Sequence, residues 1–152
     1  MKWIVGVLVA LVSLTACAQT STVEESAPFE ELADGSCNSS ESRLVEEHIS
    51  GQITALSKED WESAYSYAAP GFQEIIGLDQ FIFVITSQYQ MLISNESVKY
   101  GACDIVNKEI TQEVIVTSEN ESYKLAYSLS LNNQKLGIES ATVRFSEPEV
   151  SA

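Results

Sequence analysis

Basic residues are scarce in this 152-residue chain: 8 Lys and Arg stand against 22 Asp and Glu, for a formal net charge of −14. Such a balance repels phosphate backbones and anionic lipid headgroups, which excludes nucleic acid and other polyanions as partners. Histidine occurs once, at His48, and cysteine only at Cys17, Cys37 and Cys103. Few nucleophile–base pairs can be built from so little. The chain also has no Gly-x-Ser-x-Gly elbow, glycine-rich phosphate loop, His-Glu-x-x-His or Cys-x-x-Cys. Two distant cysteines and one histidine lack metal-ligand spacing, and no acidic run has the alternating Asp/Asn pattern of a calcium loop. No catalytic residue, metal or cofactor is therefore expected.

Long apolar runs are also rare. The longest, Trp3 to Leu14, follows Lys2 and closes on Leu14-Thr15-Ala16-Cys17. It falls short of the roughly 20 apolar residues that span a bilayer. A basic start, an apolar stretch and small residues at its end make a secretory signal peptide. Leu-Thr-Ala-Cys resembles the bacterial lipobox, in which cleavage falls just before the cysteine. That resemblance implies that residues 1–16 are removed and that Cys17 becomes a multiply acylated first residue. The chain would then be anchored to the cell membrane on its extracytoplasmic face. One acyl chain holds a protein only marginally, whereas several anchor it firmly. Ala16 and Ala18 are also small, so a plain signal peptide cut elsewhere is the alternative.

An oxidising compartment suggests a disulfide between the two remaining cysteines, Cys37 and Cys103, with two free thiols as the rival. A bond closing so long a loop contributes roughly 4 kcal/mol in the chain-entropy model.

Residues 17–40 are rich in Ser, Thr, Glu and Ala, with Phe29 and Leu32 as their few bulky apolar side chains. They read as a flexible acidic tether. Order is expected over residues 41–146, followed by a polar tail at 147–152. Leu44, Val45, Ile49, Ile53 and Leu56 form a helical stripe, interrupted by Gly51, which costs about 1 kcal/mol relative to Ala. His48 falls on the margin of that stripe and reads as a bordering residue rather than a base. Ser57 is expected to cap a second helix, with Trp61, Ala64, Tyr65 and Ala68 on its buried face and Pro70-Gly71 ending it. A third helix is expected from Asp79, with Phe81, Val84, Ile85 and Leu92 on its apolar side. After Asn95 the period becomes twofold. Its clearest run is Tyr123, Leu125, Tyr127, Leu129 and Leu131, a half-buried strand followed by a turn at Asn132-Asn133 and a bulge near Glu139. Asn38-Ser-Ser, Asn95-Glu-Ser and Asn120-Glu-Ser match the glycosylation acceptor pattern, taken here as accidents of an Asn- and Ser-rich chain.

Three N-terminal helices followed by a four-stranded antiparallel sheet make an α+β order. With Trp61-Glu-Ser-Ala-Tyr-Ser-Tyr-Ala-Ala-Pro-Gly-Phe-Gln and Gly77-Leu-Asp-Gln-Phe81, it resembles the nuclear-transport-factor-two-like superfamily, nearest its small bacterial families of undetermined role. The resemblance covers about Arg43 to Phe145. It implies helices packed on a curved four-stranded sheet, with a cone-shaped cavity between them.

This architecture hosts enzymes, binders and assembly modules alike. Trp61, Tyr65, Tyr89, Tyr100, Tyr123 and Tyr127 are candidates for the pocket lining, tyrosine being an apolar body with one polar end. Asp104 is the nearest carboxylate at a strand position, and none of these aligns with a catalytic motif. The expectation is non-catalytic binding of a small apolar ligand or of an envelope protein. The alternatives are an isomerase or dehydratase with a tyrosine-lined pocket, and a homodimeric structural module.

Overall fold

Asn38 sets the start of the ordered domain through a capping box. Its side-chain oxygen accepts the backbone N–H groups of Ser40 and Glu41 (2.9 and 3.0 Å), and the Glu41 carboxylate accepts the Asn38 N–H at 2.7 Å. Capping, rather than glycosylation, is what this asparagine does in the fold. Helix α1 therefore runs over Ser39–Ser57, in a computed structural model that describes residue 29 and residues 31–144. The apolar leader, Cys17 and the polar tail lie outside the described residues.

Val45, Ile49, Ile53 and Leu56 bury the expected stripe of α1, while Leu44 is half-buried at its margin. Gly51 belongs in this helix despite its cost, because a Cβ there would run into the Tyr67 ring. Ser57 closes α1 instead of opening the next helix. The buried stripe extends through Leu56 and holds the helix to that point. Glu59 reverses the chain at φ 55°, and Asp60 caps α2 (Trp61–Ser66) by accepting the Ser63 N–H at 3.2 Å.

Pro70 likewise begins an element rather than ending one. It occupies the first position of α3 (Pro70–Ile75), where its missing N–H would have no helical partner anyway. Helices α4 (Leu78–Gln88) and α5 (Gln90–Ile93) follow, broken at Tyr89. The described helices thus number five, not three. The two short ones carry too few residues for a periodic signature.

The sheet is open, antiparallel and five-stranded. β1 (Gly35–Ser36), β2 (Ser97–Val106), β3 (Glu109–Ser118), β4 (Glu121–Asn132) and β5 (Lys135–Arg144) lie side by side in that order. The expected four strands are β2 to β5. The extra strand, β1, falls in the stretch read as tether and is too short to show an alternating pattern.

Three two-residue turns join the long strands, at Asn107-Lys108, Glu119-Asn120 and Asn133-Gln134, all with positive φ. Positive φ at both loop residues matches the strand twist, which is why asparagine recurs there. Two bulges mark the sheet. Gly101 and Ala102 bulge from β2, and Glu139 bulges from β5 between the pairs Ser128↔Ser140 and Leu129↔Ile138. Alternation places Ile110, Gln112, Val114 and Val116 of β3 and Leu125, Tyr127 and Leu129 of β4 in the buried core beneath the helices.

Each sheet edge is tied down locally. At one edge the Cys37–Cys103 disulfide joins the entrance of α1 to β2, with Cα atoms 5.4 Å apart, and the Cys37 N–H also donates to the Cys103 carbonyl at 2.9 Å. Closing this 66-residue separation contributes about 4 kcal/mol in the chain-entropy model. Phe29, upstream of the staple, is buried in the core. At the other edge, residues 67–69 run along β5. The Ile138 N–H donates to the Tyr67 carbonyl and the Ala69 N–H to the Ile138 carbonyl, both at 2.9 Å. Gly137 lets this segment approach: a Cβ there would lie 2.5 Å from Ala69 Cα.

Candidate functional site

The segment that covers β5 also positions a cavity. Residues 67–69 hold α3 over the bulged strand, and the Tyr65 hydroxyl fixes that helix by donating to the Ile76 carbonyl at 2.6 Å. Gln73 returns a bond from its side-chain amide to the Tyr65 carbonyl at 2.9 Å. Between α3, α4, α5 and the sheet lies a space of about 220 Å³. Phe72 and Ile76, then Phe81, Val84, Ile85 and Leu92, form its helical wall, and Tyr127, Ile138 and Ala141 its sheet wall. Gln52 of α1 completes the lining together with Ala68, Tyr89, Glu139 and Ser140.

Two larger depressions, about 600 and 700 Å³, are open surface grooves. The first is bordered largely by charged side chains of α1 and the turn after it, among them Arg43, Glu46, Glu47, Lys58 and Asp60. Both are open to solvent, whereas the smaller space is walled mainly by apolar and aromatic side chains, which makes it the candidate site.

Polar side chains in the lining are few. The Tyr89 hydroxyl donates to the Ala141 carbonyl at 2.5 Å. Glu139 reaches the lining at its bulge, while its carboxylate accepts a bond at 2.5 Å from Oγ of Ser130, which alternates with the core-facing Leu129 and Tyr127. Tyr127 is fully buried, and among the described residues its hydroxyl has no hydrogen-bond partner. Desolvation is the main cause pushing its pKa far above the ordinary phenol value, with the nearby Tyr100 and Tyr89 adding to the shift. The phenol is therefore neutral at physiological pH and available as a donor. Leaving such a group unpaired costs on the order of 1–3 kcal/mol.

Directly across from Tyr127 in the ladder, Gln112 is also fully buried. Its amide nitrogen satisfies carbonyls of the β2 bulge, Gly101 at 3.0 Å and Ala102 at 3.3 Å, as well as the Glu113 carbonyl at 2.8 Å. Its side-chain oxygen has no partner among the described residues. The buried Tyr100 hydroxyl likewise has no hydrogen-bond partner among the described residues. Burial raises the Tyr100 pKa, and Glu46 adds to the rise.

Of the six aromatic residues read from the sequence as pocket lining, Tyr89 and Tyr127 line this cavity. Tyr65 stands behind it, packing on Phe81 with ring centres 5.5 Å apart. Trp61 packs half-buried against the core away from the lining, and Tyr100 borders the charged groove on α1. Tyr123 lies near the end of β4, where its hydroxyl donates to Glu121 at 2.8 Å; that bond is the main cause raising its pKa. Asp104 is exposed on β2 and accepts from Ser36 Oγ at 3.0 Å, outside the cavity.

Gln52, Gln112 and Glu139 were missed as site residues. Gln52 lies on the apolar stripe, three residues after Ile49, and Gln112 shares phase with Ile110 and Val114. A polar residue in a buried phase was the available signal. His48 borders a groove next to Leu44. Its Nε2–H donates to the Tyr67 carbonyl at 3.0 Å, and its ring meets the Tyr67 ring edge-on. Among the described residues, no three His, Cys, Asp or Glu side chains gather as metal ligands would.

The structure defines a mixed helix-and-sheet domain with one antiparallel open sheet and a small apolar cavity under its helices. The chain belongs to the family described as domain of unknown function DUF4864, which matches residues 38–149. No curated protein matches the sequence.

Proposed function

We propose that this chain is a lipid-anchored protein of the extracytoplasmic face, acylated at Cys17, whose domain takes a small apolar ligand into the cavity without transforming it. The proposal includes membership of the nuclear-transport-factor-two-like superfamily, supported by the order of helices before an antiparallel sheet. The cavity carries the ligand half: about 220 Å³ walled mainly by apolar and aromatic side chains. The anchor half rests on Leu14-Thr15-Ala16-Cys17 at the end of the apolar run. Among the described residues Glu139 is the one acidic residue of the lining, and its carboxylate is engaged by Ser130, which favours binding over proton transfer.

Replacing Cys17 by Ala should move the chain from the membrane fraction to the soluble fraction. Retention in the membrane would contradict the anchor. The full chain carrying Cys17→Ala should then bind p-xylene saturably, and a chain that shows only non-saturating uptake would contradict the ligand reading.

Exposed Ile75 and Phe83, at 79% and 68%, support a second reading in which the helical side meets an envelope protein.

A further inference from the structure

We propose that the cavity selects an uncharged ligand with an apolar body and one hydroxyl, a small phenol or alcohol, whose oxygen pairs with the Tyr127 hydroxyl. This rests on the ligand-binding reading above and narrows it to a chemical class.

The apolar walls alone would be served as well by phenylalanine at position 127, which fills the same space without a polar atom. Tyr127 instead places a fully buried and unpartnered hydroxyl on a residue of the cavity wall. An unpaired buried donor is costly, and a partner supplied by a ligand removes that cost only in the bound state. A donor at this position calls for an acceptor on the ligand.

A hydroxyl fits better than a carbonyl or ether because an acceptor is also at hand. Tyr89 lines the same cavity, and its proton is committed to the Ala141 carbonyl, so its oxygen is left to accept. A ligand hydroxyl can thus accept from Tyr127 and donate to Tyr89. Charge is disfavoured in either sign. Among the described residues neither Lys nor Arg lines the cavity, so an anion would find no counter-charge. A cation would find none either, because the Glu139 carboxylate is bonded to Ser130, which alternates with the core-facing Leu129 and Tyr127. Size sets the rest: 220 Å³ corresponds to roughly seven water molecules of liquid volume, room for one ring with a short substituent.

Two isosteric probes separate the polar end from the apolar body. The full chain carrying Cys17→Ala, purified from an oxidising compartment, is titrated with p-cresol and with p-xylene. The expected result is p-cresol binding about tenfold more tightly, the scale of one net hydrogen bond. Tyr127→Phe should abolish that preference, the ratio of the two affinities falling to about one. Equal affinity for both probes in the Tyr127 chain would overturn the hydroxyl proposal and leave the apolar cavity standing. Such equality is also the result expected if Tyr127 holds only a water molecule. Binding of neither probe would overturn both readings. If the Phe variant fails to fold, the ratio of the two affinities in the Tyr127 chain still decides the proposal.

Discussion

At the scale of single residues, the informative positions are those where a side chain departs from what packing alone would choose. His48 is one. Desolvation lowers its pKa from 6.5, more than its bond to the Tyr67 carbonyl raises it. The native state then binds fewer protons than the unfolded chain once the pH falls below the unfolded value. Stability should therefore be fully present above about pH 6.5 and decline as the pH falls from there through the lowered native value. Urea unfolding across pH 5 to 8 should show this decline, and His48→Gln should flatten it. An unchanged slope in that variant would show that other groups carry the pH dependence. The sequence placed His48 at the edge of the α1 stripe and read it as a bordering residue, and that edge is where it lies. The opposite holds for Gln112 and Tyr127. Their burial follows from strand alternation, but whether a buried oxygen finds a partner depends on the neighbouring strand's bulge, and bulges are set by tertiary fit.

At the scale of elements, long periodic segments were legible and short ones were not. The α1 stripe, the alternation of β4 and the bulge at Glu139 could all be read from side-chain phase. Helices α3 and α5 and strand β1 span one or two turns or a single residue pair, too little for a period to register. Ser57 and Pro70 were assigned the wrong ends of helices because each residue type suits more than one position. Asp60 competes with Ser57 as a cap, and proline both ends helices and begins them.

Gly137 belongs to this scale because it lets one element approach another. A Cβ at that position meets the backbone of Ala69, which flexible side chains cannot relieve. Gly137→Ala should destabilise the domain by about 1–3 kcal/mol, the usual cost of overpacking. It should also weaken p-xylene binding, because the displaced segment holds α3 over the cavity. Thermal unfolding and titration of the same variant measure both effects. Wild-type values in both would show that residues 67–69 are not a support for the site.

At the scale of the whole molecule, the class of fold was legible from the order of helical and twofold periodicities, while the site was only half visible. Tyr89 and Tyr127 could be nominated, being aromatic residues in buried phases. Residues from α1, α3, α4, α5, β4 and β5 converge on the cavity from separations that periodicity does not encode. The disulfide and the edge-covering segment brace opposite edges of the sheet, so the cavity sits between helices and a sheet that is constrained on both sides. That arrangement suits a preformed site, in which little ordering opposes binding.

The most direct test of ligand binding is native mass spectrometry of the full chain carrying Cys17→Ala, purified from an oxidising compartment and presented with p-cresol. A single added ligand mass, lost when Val84→Trp fills the cavity, is the expected result. A bare chain at saturating p-cresol, or an adduct that survives the filled cavity, would contradict the assignment of this cavity as the functional site.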